Sequence, residues 1–181
     1  IQVGAESTAT KGTAVAATTY LRFNGTMEDN REVVFPQEDI GILGGVDRWY
    51  VPKLGASITM EGVATFEQMP YFLEAGVSTG APTTDTGSGY IYTYTLATTA
   101  QKAPRTYTIE AGDDNEAEEM EFSFVKEFTL SGKAGEAWMV SANWVGRQVS
   151  TSTYTGALSI PTVEDMLFSK TTLYIDVSTD T

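Results

Sequence analysis

Residues 118–149 read EEMEFSFVKEFTLSGKAGEAWMVSANWVGRQV, and this stretch decides the fold class. Met120, Phe122 and Phe124 alternate with Glu119, Glu121 and Ser123. Side chains two residues apart share one face of a strand, so the pattern predicts an apolar face of Met120, Phe122 and Phe124 and a wet face carrying Glu119 and Glu121. The phase blurs at Lys126-Glu127, which suits a β-bulge, and resumes at Phe128 and Leu130. Ser131 to Glu136 holds two glycines and reads as a turn, after which Trp138, Val140, Ala142 and Trp144 share one face of a return strand. A long antiparallel hairpin with an aromatic side and a wetter side is expected.

The same period of two recurs on either side of the hairpin. Ile58 and Met60 oppose Ser57, Thr59 and Glu61; Tyr107 and Ile109 oppose Thr106, Thr108 and Glu110. Tyr90, Tyr92 and Tyr94 oppose Ile91, Thr93 and Thr95, and Leu173, Ile175 and Val177 close the chain in the same way. One α-helix stands out. Thr65 and Gln68 fit a capping box, Pro70 falls in the first turn, Phe66, Met69, Leu73 and Val77 form a stripe, and Gly76 ends it. A shorter helical turn is expected over Thr162 to Phe168, behind Pro161. The chain therefore reads as mainly β, a β-sandwich or barrel of antiparallel strands with a long hairpin and one flanking α-helix. Its 181 residues suit a single domain over residues 1–181, large enough to bury about 70% of its unfolded surface.

Two segments read as long loops. Residues 78–89 are rich in Thr, Gly and Pro, the composition of an exposed connection. Residues 29–55 carry three glycines before Pro52 but also Ile40, Ile42, Leu43, Trp49 and Tyr50, and a loop that apolar needs a surface to lie on, such as a neighbouring subunit.

Composition removes several function classes. Eleven basic against 24 acidic residues leave a net charge of -13, the wrong sign for gripping phosphates through a basic face. The sequence contains no cysteine and no histidine, which excludes disulfides, thiol nucleophiles, Cys/His zinc sites and histidine triads within it. No run of 18 apolar residues is present, so no membrane-spanning helix is expected. No secretory signal is read at Ile1, and an incomplete chain is expected at both ends.

Chemistry-bearing motifs are sparse. The acidic run Asp113, Asp114, Glu116, Glu118, Glu119, Glu121 lacks EF-hand spacing and reads as a solvated face rather than a calcium site. No particular carboxylate pair is marked for glycoside hydrolysis, no Ser-x-x-Lys occurs, and Gly41 to Gly45 is no phosphate loop. No enzyme and no cofactor are expected. Tyr90, Tyr92 and Tyr94 could stack on sugars, although a strand packing its aromatic side into a core is the blander expectation.

Residues 64–77 (ATFEQMPYFLEAGV), 105–110 (RTYTIE), 116–132 (EAEEMEFSFVKEFTLSG), 144–149 (WVGRQV) and 167–176 (LFSKTTLYID) together resemble the major tail tube proteins of long-tailed (siphovirus-like) bacteriophages. The resemblance covers about half of the chain and includes no catalytic motif. It implies a structural virion protein, assembled in the host cytoplasm, whose copies form hexameric or pseudo-hexameric rings that stack into a tube with other tail proteins. It leaves room for a second, related half after Thr181. Genomic DNA would pass through the lumen without specific binding, and an acidic wall would repel phosphates. On that reading Glu119 and Glu121 line the lumen, and Ile40, Ile42, Leu43, Trp49 and Tyr50 form the contact between rings. The tube of a contractile injection machine would share these features. The competing expectation is a secreted or surface β-sandwich binding carbohydrate through Tyr90, Tyr92 and Tyr94.

Overall fold

The computed structural model describes residues 1–38, 41, 48–87, 89–94, 99, 104–113 and 115–172. Ile40, Ile42, Leu43 and the expected closing strand with Leu173, Ile175 and Val177 lie outside the described residues. In chain order the elements are β1 (Gln2–Ala5), β2 (Thr19–Tyr20), β3 (Met27–Asp29), β4 (Glu32–Val34), β5 (Tyr50–Lys53) and β6 (Ala56–Val63). There follow α1 (Met69–Gly76), β7 (Pro82–Thr84), β8 (Tyr90–Tyr92), β9 (Tyr107–Gly112), β10 (Ala117–Ser131), β11 (Met139–Gly146) and β12 (Val149–Ser152). The protein is mainly β; among the described residues the strands pair antiparallel and there is one α-helix, consistent with a sandwich- or barrel-like fold.

The main sheet runs β2-β1-β9-β10-β11-β6-β3, with β12 also on β10. The fifteen-residue β10 is its spine: the first half pairs with β9 and β12, the second with β11. The expected hairpin is present, its turn helped by Gly135 at φ 89°. The bulge expected near Lys126 lies between Val125 and Glu127. A second bulge, between Met120 and Ser123, sets two residues of β10 opposite Thr108 alone and has no counterpart in the sequence pattern.

The two bulges correct the expected hairpin faces. Met120 is buried against Ile109, but Phe122 is exposed at φ 56°, and Phe124 pairs with Val145 on the outer face. Ser123 and Val125 take the core positions instead. The reason is α1: a Cβ placed on Gly76 would lie 3.2 Å from the Val125 side chain, so the helix packs where only a small residue fits beneath it. Past Lys126 the original phase returns, with Phe128 opposite Ala142 and Leu130 opposite Val140.

Val140, Ala142 and Trp144 are buried as expected, and so are Ile58 and Met60 of β6. The core is tied by edge-to-face aromatic contacts from Phe23 to Phe72 (4.9 Å), Phe72 to Trp144 (5.6 Å) and Trp144 to Tyr107 (6.0 Å). Burying a side chain such as Phe72 stabilises the fold by about 1.5–3 kcal/mol.

Other expectations are revised. The capping box does not form: Thr65 Oγ1 has no partner, and Gln68 precedes α1 without a side-chain cap. The Gln68 amide instead donates to the Tyr20 carbonyl (3.0 Å), and its oxygen accepts from the Arg22 amide (3.2 Å), stitching the helix entry to β2. The buried stripe is Met69, Phe72 and Ala75, while Phe66 is exposed, because the first helical residue is Met69. No helix forms over residues 162–167. That stretch bridges Thr65 to Asp165 and Ala137 to Leu167, and a single 3-10 turn covers Phe168–Lys170. Both expected loops contain strands: β4 pairs with β5, and β7 with β8.

Candidate functional site

Tyr107 and Ile109 are buried on the core side of β9, as the alternation implies, but Thr106, Thr108 and Glu110 on the other side are buried as well. What covers them is a strap, residues 7–18, folded back over the sheet. The strap approaches so closely that a Cβ on Gly4 would lie 2.4 Å from the Ala16 carbonyl oxygen. Its backbone amides are taken up by side chains of the sheet. Glu6 accepts from Gly12 N (2.8 Å), Phe122 N (2.7 Å), Thr106 Oγ1 (2.8 Å) and Thr108 Oγ1 (3.3 Å). Glu110 accepts from Thr155 Oγ1 (2.7 Å), Thr155 N (2.8 Å) and Ala17 N (3.3 Å). Val15 N donates to Thr108 Oγ1 at 3.1 Å. Ionised carboxylates are acceptor-only groups, and several amide bonds make their burial tolerable.

Glu119 and Glu121 sit on this covered side. Glu119 lies opposite Glu110 and Ser150 in the register and is half-buried; loss of solvent, then the charges of Glu110 and Glu121, push its carboxyl above the usual range. Glu121 is only 5% exposed, with Arg147 3.9 Å away as its cation. The expectation that both present an open wet face is therefore corrected, because the strap, absent from any alternation pattern, lies over that face.

The open polar face lies further along the hairpin. Residues in register across β10, β11 and β6 form rows Glu127-Asn143-Thr59 and Thr129-Ser141-Glu61. Glu28 of β3 joins Ser57 and Val145 in the next row. Ser141 Oγ donates to Glu61 (3.1 Å), and Asn143 Nδ2 donates to Thr59 Oγ1 (3.2 Å). The paired residues of these rows include three carboxylates and no lysine or arginine, and the exposed Lys126 stands unpaired at the bulge beside Glu127. Exposure of Thr59 and Glu61 follows from their alternation with buried Met60.

Of the expected ring-contact residues, Trp49 is 64% exposed and Tyr50 is half exposed at the start of β5. Trp49, with Val33, Phe35, Val51 and Arg31, lines a shallow apolar cleft on the β4–β5 hairpin. Ile40, Ile42 and Leu43 lie outside the described residues.

The tyrosine trio does not pack into the core. Tyr90 and Tyr92 are exposed on β8, and Tyr92 stacks on Tyr94 with centroids 6.5 Å apart and planes 10° from parallel. Burial pushes the Tyr94 phenol up to about 12. Below them, Glu74 accepts from Arg105 Nη1 (3.1 Å) and Tyr107 Oη (2.9 Å), locking α1 to the start of β9. In the acidic turn, Asp113 Oδ1 accepts from Asn115 N and Glu116 N, which hold its carboxyl below the usual range. Among the described residues no group of three acidic side chains is placed to hold a metal ion. No protein-family model, curated protein or solved structure matches the chain.

Proposed function

We propose that this chain is a subunit of a self-assembling tube, of the kind that forms the tail of a long-tailed bacteriophage and conducts DNA. The observation that carries the reading is the open face of β10, β11, β6 and β3, whose paired rows hold Glu28, Glu61 and Glu127 and no lysine or arginine, with Lys126 standing unpaired at the bulge beside Glu127. A hydrated acidic wall repels phosphates and releases no counterions, so a polyanion slides past it without sticking. The lumenal residues on this reading are Glu61 and Glu127, in place of Glu119 and Glu121. The short edge strands β2 and β3 leave the sheet open to pairing with a neighbour, and closure of such pairs into a ring removes the exposed edges. The exposed Trp49, Tyr50 and Phe35 of the β4–β5 hairpin are the surface for the next ring.

Negative-stain electron microscopy of the purified protein, with a power spectrum along any filament, tests the proposal. Hollow tubes with a regular axial repeat support it; monomers at every protein and salt concentration overturn it. One observation favours a second reading. Tyr90 and Tyr92 are solvent-exposed and Tyr92 is stacked on Tyr94, a strip suited to the apolar face of a sugar ring. Saturable binding on a glycan array, abolished by Tyr92→Ala in a monomeric protein, would favour carbohydrate recognition instead.

A further inference from the structure

One buried carboxylate gathers side chains from both ends of the described fold. Gln2 of β1 stands directly opposite Glu110 of β9 in the register, and the two residues are 4% and 2% exposed. Thr155, three residues past β12, reaches the same carboxylate: its hydroxyl donates to Glu110 Oε1 at 2.7 Å and its amide to Oε2 at 2.8 Å. The Gln2 side chain faces two acceptors and presents its nitrogen to them, donating to Glu110 Oε2 and to the Thr155 carbonyl oxygen, both at 3.1 Å. A hydroxyl has one proton and two lone pairs. The Thr155 proton goes to Glu110, and one lone pair accepts from Ala17 N of the strap at 3.0 Å, which leaves the second without a donor among the described residues. A carboxamide, a hydroxyl and a base thus meet at a place from which bulk water, the competing nucleophile, is largely excluded.

We propose that Thr155 and Gln2 join in an intramolecular ester, with Glu110 as the catalytic base and acid. Glu110 takes the proton from Thr155 Oγ1, and that oxygen adds to Cδ of Gln2. The Cδ–Nε2 bond of the tetrahedral intermediate then breaks, and Glu110 returns the proton to the departing nitrogen, which leaves as ammonia. One C–O bond forms, one C–N bond breaks, and the step needs no oxidant, reductant or co-reactant. The carboxylate is placed for both transfers, since Oε1 meets the nucleophile and Oε2 the leaving nitrogen. A cleft lined by Gln2, Tyr20, Tyr154 and Thr155 opens beside the pair, so ammonia escapes to solvent and its dilution draws the exchange forward. The link closes most of the described chain into one covalent loop, which stabilises the fold by constraining the unfolded chain. This inference concerns the chain by itself and stands apart from the tube reading.

The full chain is incubated, folded, at neutral pH and then read by intact mass and by tryptic mapping in denaturant. The expected result is loss of one ammonia and a joined pair of peptides, residues 1–11 with residues 148–170, which hydroxylamine separates as it does an ester. Asn24-Gly25 can also lose ammonia, by cyclising, so the joined peptide is the deciding readout. Thr155→Val and Gln2→Met should abolish it, and Thr155→Ser should keep it. Glu110→Gln should slow its formation about a hundredfold or more while circular dichroism reads a folded protein. The Thr155→Val and Thr155→Ser pair decides even if Glu110→Gln does not fold. A folded parent with no joined peptide, or ammonia loss that maps to residues 24–25 alone, overturns the proposal. So does a joined peptide that persists in Thr155→Val or forms equally fast in folded Glu110→Gln.

Discussion

Along β10, residues Ala117–Glu121 carry their acidic face beneath the strap, whereas Glu127–Ser131 turn their polar face to water. The two halves share one composition, alternating apolar residues with Glu, Ser and Thr. They differ in what lies opposite. Beside the covered half, Glu6, and Glu110 of β9, accept backbone amides of residues 12, 17, 122 and 155, and each such bond is one that removal would leave unsatisfied. On the open half, Glu61 and Glu127 meet solvent, where a hydrogen bond exchanges with water at little net gain. The same residue type is thus a structural fastener in one half and a surface charge in the other.

The largest effect should come from deleting a fastener. Glu110→Ala leaves the Thr155 amide and hydroxyl without their acceptor and should lower stability by about 2–4 kcal/mol, read from urea midpoints. Glu61→Ala on the open face should stay within about 0.5 kcal/mol. Equal losses in the two variants would break the comparison. A smaller effect should come from lifting the strap sterically. Gly4→Ala drives a Cβ to 2.4 Å from the Ala16 carbonyl oxygen and should cost about 1–3 kcal/mol, while Gly156→Ala, with nothing within 4 Å, should cost almost none. If Gly4→Ala were as harmless as Gly156→Ala, the strap would not be seated on the sheet.

Much of the fold was legible from local pattern. Ile58, Met60, Tyr107, Ile109, Val140, Ala142 and Trp144 lie on the faces that alternation assigned, and the bulge at Lys126 stood where the phase blurred. Misreadings cluster where a distant segment decides. Phe122 and Phe124 face out because α1 claims the core beneath Gly76, and no window around residue 122 contains that helix. Glu119 and Glu121 read as a wet face because alternation distinguishes two sides of a strand but not whether a side is covered. Thr65 and Gln68 had the spacing of a capping box, yet Gln68 found a tertiary partner at Tyr20. An acidic strand on the hairpin was legible from the sequence, but which of its carboxylates are exposed was not: Glu121 is buried, Glu119 is half-buried, and Glu127 is exposed.

The smallest effects are pH-dependent and should have opposite signs in Glu119 and Asp113. Glu119 has its carboxyl raised by desolvation and by the nearby Glu110 and Glu121, so the folded state binds its proton more readily than the unfolded chain does. Ionised Glu119 therefore opposes folding at neutral pH, and the penalty fades as pH falls through its raised value towards the ordinary 4.5. Glu119→Gln should raise the melting midpoint at pH 7, with the gap to the parent closing below that window. Asp113 is held low by the amides of Asn115 and Glu116, so its ionised form favours the fold above the ordinary 3.8, and that contribution is lost as pH drops through the lowered value. Asp113→Asn should lower the midpoint slightly at pH 7 and converge with the parent only in stronger acid. Thermal melts of the three proteins from pH 7 to pH 3 read both signs in one series. A Glu119→Gln variant less stable than its parent at pH 7 would mean that the carboxylate beside the strap is held by favourable bonds, and the covered half would then contain no opposing charge.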